Sequence, residues 1–361
     1  MLAVDHRWKV HPAAAAKRSD FTAHTVGSLD PSAVIEDPAL SLYCIDAVER
    51  TGIFVRTPPH VNLLQAPFLY QTQFAEATEI ISVPFQELHE LAARVRFSSE
   101  GLVLVQSTAR CGSTLVCQAL AAGDDVVALS EPDVYFQVQQ LRDKGDPEAE
   151  ELLATCTAML FAPRAARTSV IKFRSQNIEL AEPMLRCFPG AKTVFLYRRA
   201  EPWARSATRA FAVFGPEFLG LWDVIYDILP RVRSALDGAV LRPFSSPEEL
   251  LSWIWATAMV RAMIMQREGI AMFVARYEEL NDRPIEVLTA LRDYCDVRVS
   301  ADPLAAVLAR DSQEGTEHSR ARELVPGCEL TNERLTSFMR CLEKFAPSLD
   351  PDVVLPGTFG T

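Results

Sequence analysis

Apolar and polar positions along this chain follow two rhythms, and the change comes near residue 100. Before it, short apolar runs are broken by proline. Ile53–Arg56, Val61–Leu64 and Phe68–Gln71 read as strands, punctuated by Pro58, Pro59 and Pro67. Phe85, Leu88, Leu91 and Ala92 then recur at helical spacing within 84–96. Residues 1 to about 40 are polar, rich in Pro and Ala, and without clear period, which predicts a flexible or loosely draped arm.

From Gly101 the pattern becomes regular. Leu102–Val105 is an apolar run with the length of a buried strand; a polar turn, Ser107–Thr114, follows, and Leu115, Leu120 and the alanines around them open a helix. Further strands are expected at Asp125–Leu129, Ser169–Phe173, Thr193–Tyr197 and Ile270–Ala275. Helices are expected at Asp133–Asp143, Asp146–Phe161, Ile178–Cys187, from Pro202 to about Phe214, Pro216–Leu236, Pro247–Glu268, Pro284–Tyr294 and Asn332–Phe345. Residues 310–330 are charged and loop-like. Strands alternating with helices predict an α/β fold: a doubly wound, mostly parallel central sheet flanked by helices, with ligands at the carboxyl ends of the strands.

Composition changes this picture little. The 361 residues are 49% hydrophobic and 23% charged, as in an ordinary globular protein. A net charge of −11 argues against nucleic acid or an anionic membrane as a general partner. No apolar stretch is long and uncharged enough to predict a membrane span. Met1–Asp20 lacks the apolar segment of a secretory signal. The eight cysteines form no CxxC pair, so buried reduced thiols in a cytoplasmic protein are expected. The six histidines are dispersed, and no metal site is expected.

The chemistry concentrates in Ser107-Thr-Ala-Arg-Cys-Gly-Ser-Thr114. A strand, a tight polar loop and a helix N-terminus present backbone N–H donors to an anion. Arg110 adds a fixed positive charge, and Ser113 and Thr114 add hydroxyls. A triphosphatase loop would need GxxxxGK before the Ser or Thr, and that lysine is missing; no GxGxxG dinucleotide motif is present either. These missing parts disfavour a nucleotide kinase and a dehydrogenase.

Arg110-Cys-Gly-Ser-Thr-Leu115 resembles the phosphosulfate-binding loop of sulfotransferases, Lys/Arg-Ser-Gly-Thr/Ser-Thr. Thr193-Val-Phe-Leu-Tyr-Arg-Arg-Ala-Glu-Pro-Trp-Ala-Arg-Ser206 is similar to that family's second cofactor segment, in which an Arg at a strand end and a Ser eight residues later hold a 3′-phosphate; Arg198 and Ser206 have that spacing. Val274-Ala-Arg-Tyr-Glu-Glu-Leu280 resembles the family's strand followed by Tyr-Glu-Asp-Leu and reads as structural. The three segments together span roughly half the chain.

The resemblance implies 3′-phosphoadenosine 5′-phosphosulfate as sulfuryl donor, a hydroxyl on a carbohydrate or small molecule as acceptor, and no metal. It places Arg110, Cys111, Gly112, Ser113 and Thr114 at one anionic end of the donor and Arg198 and Ser206 at the other. Cys111 stands where the family usually has Ser, and its backbone N–H is expected to matter more than its thiol. Leu115 replaces a tryptophan that stacks on adenine in many relatives. Lys172 matches the lysine of a Lys-x-His pair that acts on the sulfuryl group, but Arg174 stands where the His would be, and an arginine cannot serve as base. Glu131, in Ser130-Glu-Pro-Asp133, is the replacement base by resemblance to carbohydrate-type and some bacterial members. Catalysis is thus assigned to Glu131, Lys172 and Arg110. His318 is the runner-up base, in a loop whose Ser312, Ser319 and Arg320 are candidates to cover the 3′-phosphate. The implied organisation is an N-terminal arm and β-rich extension over 1–100 and a sulfotransferase-like α/β domain over 101–361. The alternative is a sulfotransferase-like protein that binds nucleotide or a partner without chemistry.

Overall fold

The computed structural model describes residues 1–10, 14–95, 97–164, 166–212, 244–299, 303–316, 318–319 and 329–360. The chain divides into two compact units. The first holds Met1–Val103, Asp125–Lys172 and Glu182–Ala191; the second holds Leu104–Asp124, Phe173–Ala181 and Lys192–Thr361.

Strands β1 (Leu2–Arg7), β2 (Phe21–Thr25), β3 (Leu40–Asp46), β4 (Thr51–Arg56) and β5 (Glu79–Pro84) form an antiparallel sheet in the order β2-β1-β5-β4-β3. The expected loose arm is therefore two of its strands. Most of their residues are partly or fully exposed, so they carry none of the apolar alternation that marks a strand in sequence. What fixes them lies behind the sheet, where Lys9 sits 3.5 Å from Asp20 and its ammonium lies 5.2–5.6 Å from the ring centres of Tyr43, Tyr70 and Phe74. The Tyr43 hydroxyl donates to Asp20 Oδ2 at 2.6 Å, and burial together with that carboxylate pushes its phenol well above the ordinary range.

Two of the expected strands are turns of helix. Phe68–Gln71 opens helix Leu69–Glu76, whose Leu69, Tyr70 and Gln73 are buried at helical spacing. Gln73 donates to Ser41 Oγ at 2.9 Å and to the Leu42 carbonyl at 3.0 Å. Val61–Leu64 runs into a short 3₁₀ turn, Leu63–Gln65, where Asn62 Oδ1 accepts from the Leu64 N–H at 3.1 Å. The apolar runs were too short to separate strand from helix.

The second sheet is the expected α/β one. β6 (Leu102–Ser107), β7 (Val126–Ser130), β8 (Thr168–Lys172), β9 (Lys192–Tyr197) and β10 (Met272–Arg276) lie in the order β10-β9-β6-β8-β7. β7 pairs with β8 and β9 with β10, both in parallel. The amide bonds from Ser169 to Gly101 and from Phe173 to Val105 advance together, as a parallel ladder requires. β6 and β8 are buried throughout, which explains their continuous apolar reading.

In the first unit, helices Phe85–Arg94 and Ala149–Phe161 are clasped through His89, whose Nδ1 lies 2.6 Å from Thr155 Oγ1 and whose Nε2 lies 2.8 Å from Glu148 Oε1. Burial pushes the Cys156 thiol on the second of these up to about 12. In the second unit, helix Ser113–Ala121 carries the polar loop at its start, and at its other end the buried Arg292 donates from Nε and Nη2 to the Ala119 carbonyl at 3.2 and 2.9 Å. Helix Pro247–Arg267 starts at Ser246, whose hydroxyl accepts from the Glu249 N–H at 3.1 Å, with Pro247 in the first turn. Thr331 caps helix Asn332–Phe345 in the same way. The helix expected at Pro216–Leu236 lies outside the described residues. No helix among the described residues is long and apolar enough to cross a membrane.

Candidate active site

β6 ends at Ser107, and the chain then makes a turn that few residues tolerate. Ala109 and Arg110 both have left-handed backbones, φ 59° and 50°, and Gly112 follows at φ 81°. A left-handed residue with a Cβ costs about 1–2 kcal/mol, so this loop stays folded only because its surroundings hold it. Trp203, fully buried on helix Ala200–Ala212, donates its indole N–H to the Thr108 and Ala109 carbonyls at 2.9 and 3.0 Å. The Thr108 N–H donates to the Leu196 carbonyl at 3.0 Å, and the Cys111 thiol donates to that same carbonyl at 3.3 Å. Cys111 is thus fully buried, with its thiol turned to β9. Gly112 is required by more than its φ: a Cβ there would lie 2.7 Å from Leu280 and 3.5 Å from Tyr277. The residue at the N-cap position is Gly112, which has no side chain to cap the helix that starts at Ser113. Its first-turn amides have no partner within the helix, which leaves them for a ligand.

Arg198 follows the last residue of β9, and Ser206 lies two turns into the next helix. The structure brings both to Arg110. Arg110 Nε is 3.5 Å from Ser206 Oγ, and Arg198 Nη1 is 3.5 Å from the Arg110 carbonyl. The Arg198 backbone is fixed by the buried Trp255, whose indole N–H donates to its carbonyl at 2.9 Å. Its Nε is buried and makes no hydrogen bond, and among the described residues no carboxylate pairs with its guanidinium. The segment after helix Leu304–Ala309 also reaches this cluster. Arg110 Nη1 donates to Gln313 Oε1 at 3.2 Å, and Gln118, on the loop's own helix, donates to the Ser312 carbonyl at 3.0 Å. Ser319 instead donates to Asp311 at 2.8 Å. Arg320 lies outside the described residues. The chemistry on offer is two guanidiniums, a hydroxyl and free helix amides, the donor set for phosphate oxygens.

In the first unit, Glu131 directly follows β7 and Lys172 ends the adjacent strand β8. Lys172 Nζ donates to Glu131 Oε1 in a close ion pair, and the Glu131 N–H donates to the Lys172 carbonyl at 2.7 Å. The lysine side chain is 3% exposed and the carboxylate 15%, so the pair is withdrawn from water yet open on the glutamate side. Glu131 has φ 58°, a left-handed backbone with no turn glycine's excuse for it. Such strain recurs where a side chain is aimed for function. Phe68 lies with its ring centre 5.5 Å from the Lys172 ammonium, and Ser130 donates to the Pro67 carbonyl at 2.6 Å. The N-terminal hundred residues thus touch this pair directly. Asp133, two residues on, accepts from the Ala16 N–H, and Gln137 donates to the Ala16 carbonyl at 2.6 Å.

The sequence reading passed over Phe68, Gln313, Tyr277 and Leu280. Phe68 sat in a run mistaken for a strand, and Gln313 in a loop without period. Tyr277 and Leu280 were taken as structural. Only the positive φ at Gly112 makes their contact with the loop consequential, and no spacing rule reveals it.

Among known proteins, no family model matches the sequence and no curated protein is detectably similar. Solved structures do match. The sulfotransferase domain from the curacin biosynthetic pathway is 16% identical at a TM-score of 0.40, over 73% of this chain and 95% of its own. Sulfotransferase STF9 from Mycobacterium avium is 13% identical at 0.43, over 76% and 84%. Mouse sulfotransferase SULT7A1, complexed with PAP, is 11% identical at 0.40, over 75% and 94%.

Proposed function

We propose that this protein is a sulfotransferase that moves a sulfuryl group from 3′-phosphoadenosine 5′-phosphosulfate to a hydroxyl of a carbohydrate or small-molecule acceptor. The observation that carries the reading is the Arg110, Arg198 and Ser206 cluster beside an uncapped helix start. Its residues fit such a donor: Arg198 keeps a buried, unpartnered Nε and, among the described residues, no carboxylate, so its charge is left for a phosphate. The donor supplies a sulfuryl group on a stable leaving phosphate. The loop amides, Gly112, Ser113, Thr114 and Arg110 would hold its 5′ end, and Arg198 and Ser206 would hold the 3′-phosphate. Cys111 contributes through the loop's shape, since its thiol is spent on Leu196.

Glu131 is the base for the acceptor hydroxyl, and Lys172 lends positive charge to the transferring oxygens. In the resting protein these two satisfy each other. With a donor bound, Lys172 would turn its charge to the sulfuryl oxygens, leaving Glu131 to take the proton of the acceptor hydroxyl as its oxygen displaces the leaving phosphate. The mutual satisfaction of Glu131 and Lys172, with Arg174 in place of a histidine, is also the one feature favouring the alternative, a nucleotide-binding protein without transfer.

Two measurements decide. 3′-Phosphoadenosine 5′-phosphate at a hundred times its Kd is expected to stabilise the protein by about 2.7 kcal/mol, read as a rise in Tm. No rise at millimolar nucleotide overturns both readings. Labelled donor with a panel of sugar and phenol acceptors is expected to give a labelled product; binding without any product selects the alternative.

A further inference from the structure

Carboxylates and arginines crowd the end of β10, and their pairing leaves one arginine out. Arg276 forms a two-point ion pair with Glu279, Nε to Oε2 at 3.0 Å and Nη2 to Oε1 at 2.5 Å. Arg199 Nε lies 3.4 Å from Glu278, which also lies 3.7 Å from Arg276. Arg198, the residue before Arg199, receives an aromatic face instead. Its guanidinium carbon stands 4.2 Å from the centre of the Tyr277 ring.

The difference is chemical. A carboxylate would orient the guanidinium but also cancel its charge and occupy two N–H groups. A ring face orients it through its quadrupole and uses none of the in-plane N–H donors. The same ring lies against Gly112, where a Cβ would stand 3.5 Å from it, so one side chain abuts both the loop and the second arginine. Resting on the reading of Arg198 as the 3′-phosphate grip, we infer that Tyr277 is a positioning residue for it. Its ring holds Arg198 in place with its charge uncancelled, and so sets the preference for a nucleotide carrying a 3′-phosphate. The Tyr277 hydroxyl has no part in this.

The test compares 3′-phosphoadenosine 5′-phosphate with adenosine 5′-phosphate by titration calorimetry on the full chain. The wild type is expected to prefer the bisphosphate. Tyr277→Leu is expected to shrink that preference by roughly five- to thirtyfold, the range spanned by a partly to fully desolvated cation–aromatic contact. Its affinity for adenosine 5′-phosphate should stay within twofold, because the loop holds that end. Tyr277→Phe should restore the preference. Three results overturn the inference: a leucine variant that keeps the preference, a phenylalanine variant that loses it, or equal weakening of both nucleotides, which marks Tyr277 as a support of the loop alone. A wild type with no preference for the bisphosphate instead overturns the assignment of Arg198 itself.

Discussion

The cradle and the Glu131–Lys172 pair handle charge in opposite ways. Around Arg110 and Arg198 the chain gathers two cations: Arg110 meets the Ser206 hydroxyl and the Gln313 amide oxygen, and Arg198 meets the Tyr277 ring. At β7 and β8 it sets one cation against one carboxylate and lets them cancel. In the first arrangement Arg198 has no carboxylate partner among the described residues; the second is complete at rest. Under the proposed function the contrast has a purpose: a site that binds an anion can leave a cation unneutralised, whereas a site that moves a proton must keep its reactive group quiet until the substrate arrives.

The largest effect that can break this contrast lies in the pair. Glu131→Gln is expected to lower sulfuryl transfer by about a hundred- to ten-thousandfold, the worth of a positioned base, with the nucleotide Kd unchanged. Lys172→Met removes one half of a buried pair and is expected to destabilise by up to about 3–5 kcal/mol in urea, toward the low end because the carboxylate side is partly open. The double variant should recover most of that loss. A double variant no more stable than Lys172→Met alone would show that the two groups are not satisfied by one another.

Arg198 makes the complementary case. Arg198→Met is expected to weaken 3′-phosphoadenosine 5′-phosphate by about ten- to a hundredfold, the range for hydrogen bonds to a charged group, with the urea midpoint little moved. Stability should fall far less than in Lys172→Met, because the long bond to the Arg110 carbonyl and the Tyr277 contact are lost but, among the described residues, no ion pair is. A variant that unfolds as easily as Lys172→Met would mean that the guanidinium serves the fold, and the contrast with Lys172 would collapse.

The smallest effect concerns the scaffold under each site. Burial, first of all, pushes the Cys156 thiol in the first unit and the Cys295 thiol in the second up to about 12, from an ordinary value of 9.0. Since the folded value is the higher, stability is intact below pH 9 and falls as pH rises toward 12. The decline is at most about 1.4 kcal/mol per pH unit per thiol. Cys156→Ala and Cys295→Ala should each flatten the alkaline limb of a urea-midpoint profile, and a profile that either variant leaves unchanged would show that thiol is not what titrates.

Much of the second sheet was legible because its strands are buried on both faces. Leu102–Val105 and Thr193–Tyr197 advertise themselves as unbroken apolar runs, and the polar turn between strand and helix names the ligand end of the sheet. The first sheet was not, because β1 and β2 are held by backbone pairing at an edge and by Lys9 and Asp20 behind them, a polar anchor that no periodicity encodes. At each cluster the charged residues stand out in the sequence by type and position: Arg110 and Arg198 in the second unit, Glu131 and Lys172 in the first. Residues that act by presenting a face to those charges were not, because Phe68 and Tyr277 look like any core aromatic until the chain is folded.

Arg292 gives the cradle one more property. An α-helix is an electrical dipole, with about half a positive charge at its start and half a negative charge at its end. Ordinarily the two ends partly offset each other at any distant point. Here the guanidinium of Arg292, buried at the Ala119 carbonyl, meets the negative end from within the protein. The positive end, at Ser113, has no side-chain cap. An anion arriving at Ser113 therefore meets the positive end of a helix whose negative end is already offset by Arg292 at Ala119; under the proposed function that anion is a phosphate of the donor.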